Sequence, residues 1–108
     1  MSSPEDLAEI QQVCAGAIYK TEGGQKFVFL PALIVRTGDN TFTRDALLTL
    51  RAHSSYASRL FLSEQIPGRG GTYQTHTVLG RTWCTPSWKN VPPGRPIEML
   101  MQHLKAYA

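Results

Sequence analysis

Three stretches of strand-type sequence, joined by short turns, occupy the middle of this 108-residue chain. The first, 25–35, is rich in phenylalanine, valine, leucine and isoleucine, and Pro31 within it indicates an edge strand or a bulge. After a turn at 37–40, alternating apolar and polar residues predict a half-buried strand over 41–52, and 59–66 alternates in the same way. Successive strands with short connections predict an antiparallel meander.

Each end of the chain carries a helix signal. Ser3 is a candidate N-cap, Pro4 suits the first helical position, and apolar residues then recur at helical spacing until Gly23-Gly24 ends the helix. That apolar stripe consists of Leu7, Ile10, Val13, Cys14, Ala17 and Ile18. A second helix is predicted from Pro96. Its apolar seam comprises Ile97, Leu100, Met101 and Leu104.

A weakly patterned segment separates the meander from the last helix. Residues 73–78 form a short candidate strand, and 80–94 show almost no periodicity. The glycine-rich stretch 67–71 lacks the residues of a phosphate-binding loop, so we interpret it as a connector. The sequence therefore predicts an α+β fold in one domain, 1–108: an N-terminal helix, an antiparallel β-meander of three to four strands, an irregular Cys-bearing segment and a C-terminal helix.

Composition and charge exclude several classes of protein. Hydrophobic residues make up 42% of the chain, yet no apolar run is long enough for a membrane span, and the acidic N-terminus has no secretory signal. We therefore expect a cytoplasmic protein without membrane contact. The net charge of +3 comes from dispersed basic residues rather than a stripe, so nucleic acid is not an expected partner. Two cysteines without C-x-x-C spacing predict neither a metal site nor a disulfide scaffold, and no cofactor is expected.

The two cysteines have different surroundings. Cys14 lies on the helical stripe and is interpreted as a buried, small apolar residue. Cys84 lies in the irregular segment near Arg81 and Lys89, so we expect an accessible loop thiol whose positive neighbours favour the thiolate. Two interpretations of Cys84 stay open: a nucleophile, or a partly covered surface cysteine beside core tryptophans.

A cysteine hydrolase would need a histidine base held by an acid or amide. Nothing in the local sequence marks such a pair, and His103 on the last helix is predicted to be solvated or half-buried. The histidines are His53, His76 and His103.

The order of elements and the residues around Cys84 resemble the ubiquitin-conjugating enzymes. The core of that family is a helix, an antiparallel meander, a segment with a His-Pro-Asn signature and a catalytic cysteine, and a further helix. His76 matches the signature histidine, Gly80 the glycine before the nucleophile, and Cys84 the nucleophile. The supporting positions on either side are Tyr56-Ala57-Ser58-Arg59, Trp88, Pro92 and Pro93. The sequence looks closest to divergent members, including bacterial relatives.

One departure from the family concerns the oxyanion. Thr77-Val78 stands where the family has Pro-Asn, so the asparagine that stabilises the oxyanion is absent. Gln74, Thr75 or a backbone N–H would have to take that role.

The resemblance implies a conjugating enzyme that carries a ubiquitin-like protein as a thioester on Cys84 and transfers it to an amine. It makes Cys84 and His76 the catalytic residues. Its expected partners are the ubiquitin-like protein, an activating enzyme that contacts the first helix through Glu5, Asp6 and Glu9, and a target protein lysine. Bacterial antiviral defence is the setting it suggests. The alternative is a catalytically inactive protein-interaction domain of the same fold, in which Cys84 is incidental.

Overall fold

A computed structural model describes residues 4–38, 40–49, 59–67, 73–86 and 94–107 of the chain. Its elements, in chain order, are α1 (Pro4–Gln11), β1 (Ile18–Glu22), β2 (Gln25–Thr37), β3 (Asn40–Thr49), β4 (Leu60–Leu62), β5 (Tyr73–Val78), β6 (Arg81–Pro86) and α2 (Pro96–Tyr107). The strands form one antiparallel sheet in the order β1-β2-β3-β4-β6-β5. The predicted α+β class, with a helix at each end of an antiparallel sheet, is confirmed. Across the described ranges, no helix has the length and apolar character that a membrane crossing requires.

The sheet has six strands among these residues rather than the predicted three or four. The first of the two strands that were not predicted is β1. The predicted N-terminal helix was too long, because α1 ends at Gln11 and the chain continues into β1. Gly23 and Gly24 have φ angles of 57° and 78°, as in a two-residue hairpin turn, and they join β1 to β2 instead of ending a helix. Isoleucine, tyrosine and threonine in β1 favour a strand.

The second addition is β6, which the sequence predicted as part of an irregular segment. This strand pairs with β5 along its whole length. Leu79 and Gly80, with φ angles of 54° and 72°, make the tight turn between the two strands. The prediction was wrong because β6 lacks the alternation of apolar and polar residues that identifies a half-buried strand.

Of the two possibilities predicted at Pro31, an edge strand or a bulge, the structure shows a bulge. The register between β2 and β3 shifts between Leu30 and Leu33, and Ala32 has a φ of 52°. The backbone N–H of Ala32 donates to Asp45 Oδ1 at 3.0 Å, and the Arg81 guanidinium donates to Asp45 Oδ2 at 3.1 Å. These two contacts, that with Ala32 first, lower the pKa of Asp45. Asp45 therefore fixes the bulge and links it to β6.

The half-buried character predicted for the second strand was wrong over 46–49, where β3 is buried on both faces. The two faces of the sheet carry separate cores. On what we call the helix face, both helices pack against the strands around Val28, Leu30, Ala46, Leu48, Leu60 and Leu62. On the concave face, the buried residues are Phe27, Leu47, Phe61, Val78 and Trp83.

The concave face is formed by a bend that brings distant strands together. Phe29 on β2 and Trp83 on β6 have ring centroids 6.5 Å apart, although their strands are three places apart in the sheet. The backbone N–H of Leu79 donates to Glu22 Oε2 at 2.7 Å, which connects the two hairpin turns. The sheet therefore curls so that its outer strands approach each other at this end.

The predicted C-terminal helix is confirmed, but the burial predicted for two of its residues was wrong. Met101 was placed on the apolar seam and is exposed, whereas His103, predicted as solvated or half-buried, is only 3% exposed. The buried side of α2 consists of Pro96, Met99, Leu100, His103 and Tyr107. The spacing of three and four residues among these positions sets the packed stripe, and His103 lies within it.

Candidate functional site

Cys84 lies on an inner strand of the sheet, so the prediction of a loop thiol was wrong. It pairs with Leu62 on β4 and with Thr75 on β5. Directly paired residues of antiparallel strands project to the same face, and Leu62 belongs to the helix-side core. The thiol of Cys84 therefore projects to the helix face. It is free and half-buried.

Two phenols lie near this thiol. Tyr107, in the last turn of α2, is fully buried, and burial first, then nearby Tyr73 and Cys84, raise its pKa. The hydroxyl of Tyr73 accepts the backbone N–H of Ile66 at 3.2 Å. The electrostatic effect of Cys84 on Tyr107 places the thiol near the end of α2.

His76 lies on the opposite face of the sheet. It pairs with Trp83, and its ring lies 5.6 Å from the ring of Phe61, so both of these contacts are with the concave core. The structure thus places His76 and Cys84 on neighbouring strands but does not bring their side chains together.

A buried arginine determines the chemistry of His76. Arg59 is 1% exposed, and its guanidinium nitrogens lie 3.2 Å from His76 Nε2 and 2.7 Å from Gln74 Oε1. Because a guanidinium only donates, His76 Nε2 accepts and the hydrogen bond assigns the ring proton to Nδ1. Burial first, and then the charge of Arg59, lower the pKa of His76. His76 is therefore a neutral acceptor held in a polar cluster.

Sequence reasoning missed the buried role of Arg59. Its backbone N–H donates to Thr49 Oγ1 at 2.7 Å, which fixes the start of β4 beside β3. Its side-chain partners, Gln74 and His76, come from a strand that follows later in the chain. No local pattern reports such a contact, because it depends on the pairing order of β4, β6 and β5.

Cys14 is more deeply buried than Cys84. The predicted burial of Cys14 is confirmed, and its Sγ–H donates to the carbonyl oxygen of Pro31 at 3.2 Å. Burial raises the pKa of the Cys14 thiol, which disfavours the reactive thiolate. A Cβ on neighbouring Gly16 would lie 2.7 Å from the ring of Pro31, so this segment packs closely against the bulge.

The structure separates the two side chains that the sequence left open as oxyanion donors. Gln74 lies on the concave face and accepts a hydrogen bond from Arg59. Thr75 pairs directly with Cys84, shares its face and is exposed. A hydroxyl beside an attacking thiol can donate to a developing oxyanion. Thr75 is the one of these two residues that is positioned for such a role.

The acidic side of α1 takes part in contacts within the chain. Glu9 forms an ion pair with Arg95, at 3.0 Å, which joins α1 to the start of α2, while Glu5 is exposed. In the part of the chain that the structure describes, no group of three or more His, Cys, Asp or Glu side chains is arranged to hold a metal ion. Several residues named from the sequence lie outside the described ranges: His53, Tyr56, Lys89, Trp88, Pro92 and Pro93.

Comparison with known proteins gives no match: no family model, no curated protein and no solved structure matches the chain.

Proposed function

We propose that this protein carries an acyl group as a thioester on Cys84 and transfers it to an amine, with the C-terminus of a ubiquitin-like protein as the acyl group. The observation that supports this proposal most directly is the free, half-buried thiol of Cys84 on a strand paired on both sides. A thiol at such a position is held in place and still partly open to solvent. Positioning is a large part of what an acyl carrier needs.

The proposed reaction has two balanced steps. The thiolate of Cys84 attacks the carbonyl carbon of an incoming thioester; a new C–S bond forms, the old one breaks, and the released thiolate takes up a proton from solvent. An amine then attacks the same carbonyl, the C–N bond forms and the C–S bond breaks, the nitrogen loses a proton to solvent, and the Cys84 thiolate is regenerated. His76 takes no part in these steps, since it projects to the concave face and bonds with Arg59.

Thr75 is the proposed oxyanion donor in both steps. Its exposed position opposite Cys84 allows the hydroxyl to donate to the oxygen of the tetrahedral intermediate. Thr75→Val keeps the shape and removes the donor, and loss of one such donor slows acyl transfer by roughly a hundredfold. Thr77→Val is the matched control, because Thr77 lies on the same strand and the same face. Equal rates for both variants would contradict the assignment.

The direct test is trapping of the adduct. The protein is incubated with an activating enzyme, its ubiquitin-like protein and ATP, and the products are separated with and without reductant. The proposal predicts an adduct that reductant removes, and a reductant-resistant ester or no adduct with Cys84→Ser. An adduct that persists in Cys84→Ala, or that maps to Cys14, would remove the assignment.

The partners expected from this proposal are the ubiquitin-like protein, an activating enzyme and a target protein with an accessible lysine, all in the cytoplasm. The contact with the activating enzyme is proposed on the α1 surface around Glu5 and Asp6. Glu9 is less available for it because of its ion pair with Arg95. Glu5→Gln therefore weakens charging more than Glu9→Gln.

A second candidate function is a protein-interaction domain without catalysis. It is favoured by the position of Cys84 within the sheet, since β6 has a partner strand on each side and His76 lies on the other face. In that case Cys84 is incidental. The trapping experiment distinguishes the two, because an interaction domain forms no covalent adduct with the acyl donor.

A further inference from the structure

Three exposed apolar side chains from distant parts of the chain meet in one groove. Val13, Ile34 and Met101 are 42%, 50% and 47% exposed, and all three line the groove, together with Leu104. They come from the segment after α1, from β2 and from α2. Singly exposed apolar residues are ordinary, but a group of them in one concave surface indicates a binding site.

The groove is the size of a ligand pocket rather than of a domain interface. Its volume is about 510 Å³, within the range of roughly 300–1,000 Å³ that holds a small ligand or a short peptide segment.

One wall of the groove is a strand edge. β1 pairs with β2 only over Gln25–Phe29. From Leu30 onward, β3 is the sole strand of the described chain that pairs with β2, and Ile34 and Arg36 belong to this part. An edge of this kind accepts an extended segment through main-chain hydrogen bonds, while side-chain pockets set the specificity.

The charge of the groove indicates which kind of segment it binds. Two exposed cations, Arg36 and Lys105, lie among the lining residues, and no acidic side chain lines the groove within the described residues. A second copy of this chain would bring the same two cations against each other in a two-fold contact, which disfavours self-association through this surface. A segment with carboxylates beside its apolar side chains is attracted to the two cations and buries its apolar side chains against those of the groove.

We propose that this groove binds an extended acidic and apolar segment of a partner protein, placed along the β2 edge at Ile34 and Arg36 and against α2. Its apolar side chains contact Val13, Ile34 and Met101, and its carboxylates lie near Arg36 and Lys105. The site is separate from Cys84, so the binding does not rest on the thioester chemistry. Cys84→Ser leaves it unchanged.

The test uses short fluorescent peptides and the intact protein, with binding followed by fluorescence anisotropy. A peptide of alternating glutamate and leucine is compared with one of alternating lysine and leucine and one of alternating glutamate and serine. The proposal predicts that the glutamate–leucine peptide binds most tightly. Equal binding of the lysine peptide overturns the charge assignment, and equal binding of the serine peptide overturns the apolar contact.

Matched variants locate the binding on the protein. Lys105→Glu weakens binding of the glutamate–leucine peptide by about fivefold, the effect of reversing an exposed charge. Lys20 is an exposed lysine outside the groove, and Lys20→Glu leaves the binding unchanged. Ile34→Gln weakens binding, and Ile18→Gln, equally an exposed isoleucine, does not. If the groove variant and its control weaken binding equally in either pair, the proposal is overturned. It is also overturned if the protein forms a dimer that Met101→Gln abolishes, because the groove would then be occupied by a second copy of the chain.

Discussion

The two faces of the sheet differ in what holds them together. The helix face is covered by α1 and α2, and its core is a broad aliphatic cluster with one buried histidine and one buried tyrosine on α2. The concave face has a smaller aromatic core, closed by the curl of the sheet, and a polar cluster around Arg59. Cys84 projects to the first face and His76 to the second.

This difference shows how neighbouring residues on paired strands can belong to separate sites. His76 and Cys84 lie on adjacent strands, yet the alternation of side chains sends them to opposite sides. A short separation in sequence therefore does not make a catalytic pair. The polar contacts of His76 are part of the concave face, and the half-buried thiol of Cys84 belongs to the helix face.

The largest expected effect concerns the concave core. Trp83 is buried, and its indole N–H donates to the carbonyl oxygen of Val78 at 3.0 Å. Trp83→Ala removes the ring and leaves a cavity, so the free energy of unfolding in urea falls by about 3–5 kcal/mol. Trp83→Phe keeps most of the packing and costs less. A loss below about 1 kcal/mol for the alanine variant would mean that the concave face is not an independent core.

The next effect tests the helix face through pH. Burial lowers the pKa of His103 from 6.5 to about 4. As the pH falls, the unfolded chain takes up this proton first, so the stability is complete above about pH 6.5 and is lost progressively down to about pH 4. The expected loss is about 3 kcal/mol, measured by urea unfolding at several pH values.

Two variants separate the contributions of the faces to this pH dependence. His103→Leu removes most of it, whereas His76→Gln removes a smaller part of the same sign, because the pKa of His76 is also lowered. Equal changes in the pH dependence of stability from His103→Leu and His76→Gln would contradict this difference between the two faces.

The smallest effect is expected at the rim of the concave face. Arg81 forms an ion pair with Asp45 at 3.1 Å, with side chains 46% and 37% exposed. Solvent screens such a pair, so Arg81→Met lowers the free energy of unfolding by only about 0.2–1 kcal/mol. A loss above about 2 kcal/mol would show that the guanidinium stabilises the concave core through its position 4.7 Å from the Trp83 ring.

The sequence predicts elements well where one signal dominates. The start of α2 at Pro96, the bulge at Pro31 and the hairpin at Thr37–Asn40 follow from residues with restricted or special backbone angles. β1 was mistaken for a helix because glycine pairs end helices and also form hairpin turns. β6 was missed because polar and apolar residues do not alternate along it.

The candidate site was harder to predict than the fold. Cys84 was singled out by its residue type and its neighbours in the chain, and these do not report which strands flank it or which face it occupies. The buried contacts of Arg59 depend on pairing with residues that follow it by 15 and 17 positions. Long-range pairing of this kind has no local signature.

The most direct measurement identifies the thiol that accepts an acyl group. The native protein is incubated with a short peptide thioester that ends in glycine, digested under acidic conditions and mapped by mass spectrometry. The account predicts that the acyl group is on Cys84, is released by an amine such as lysine, and is absent from buried Cys14. Acylation of Cys14 in the native protein, or equal acylation of the wild type and Cys84→Ser, would contradict it.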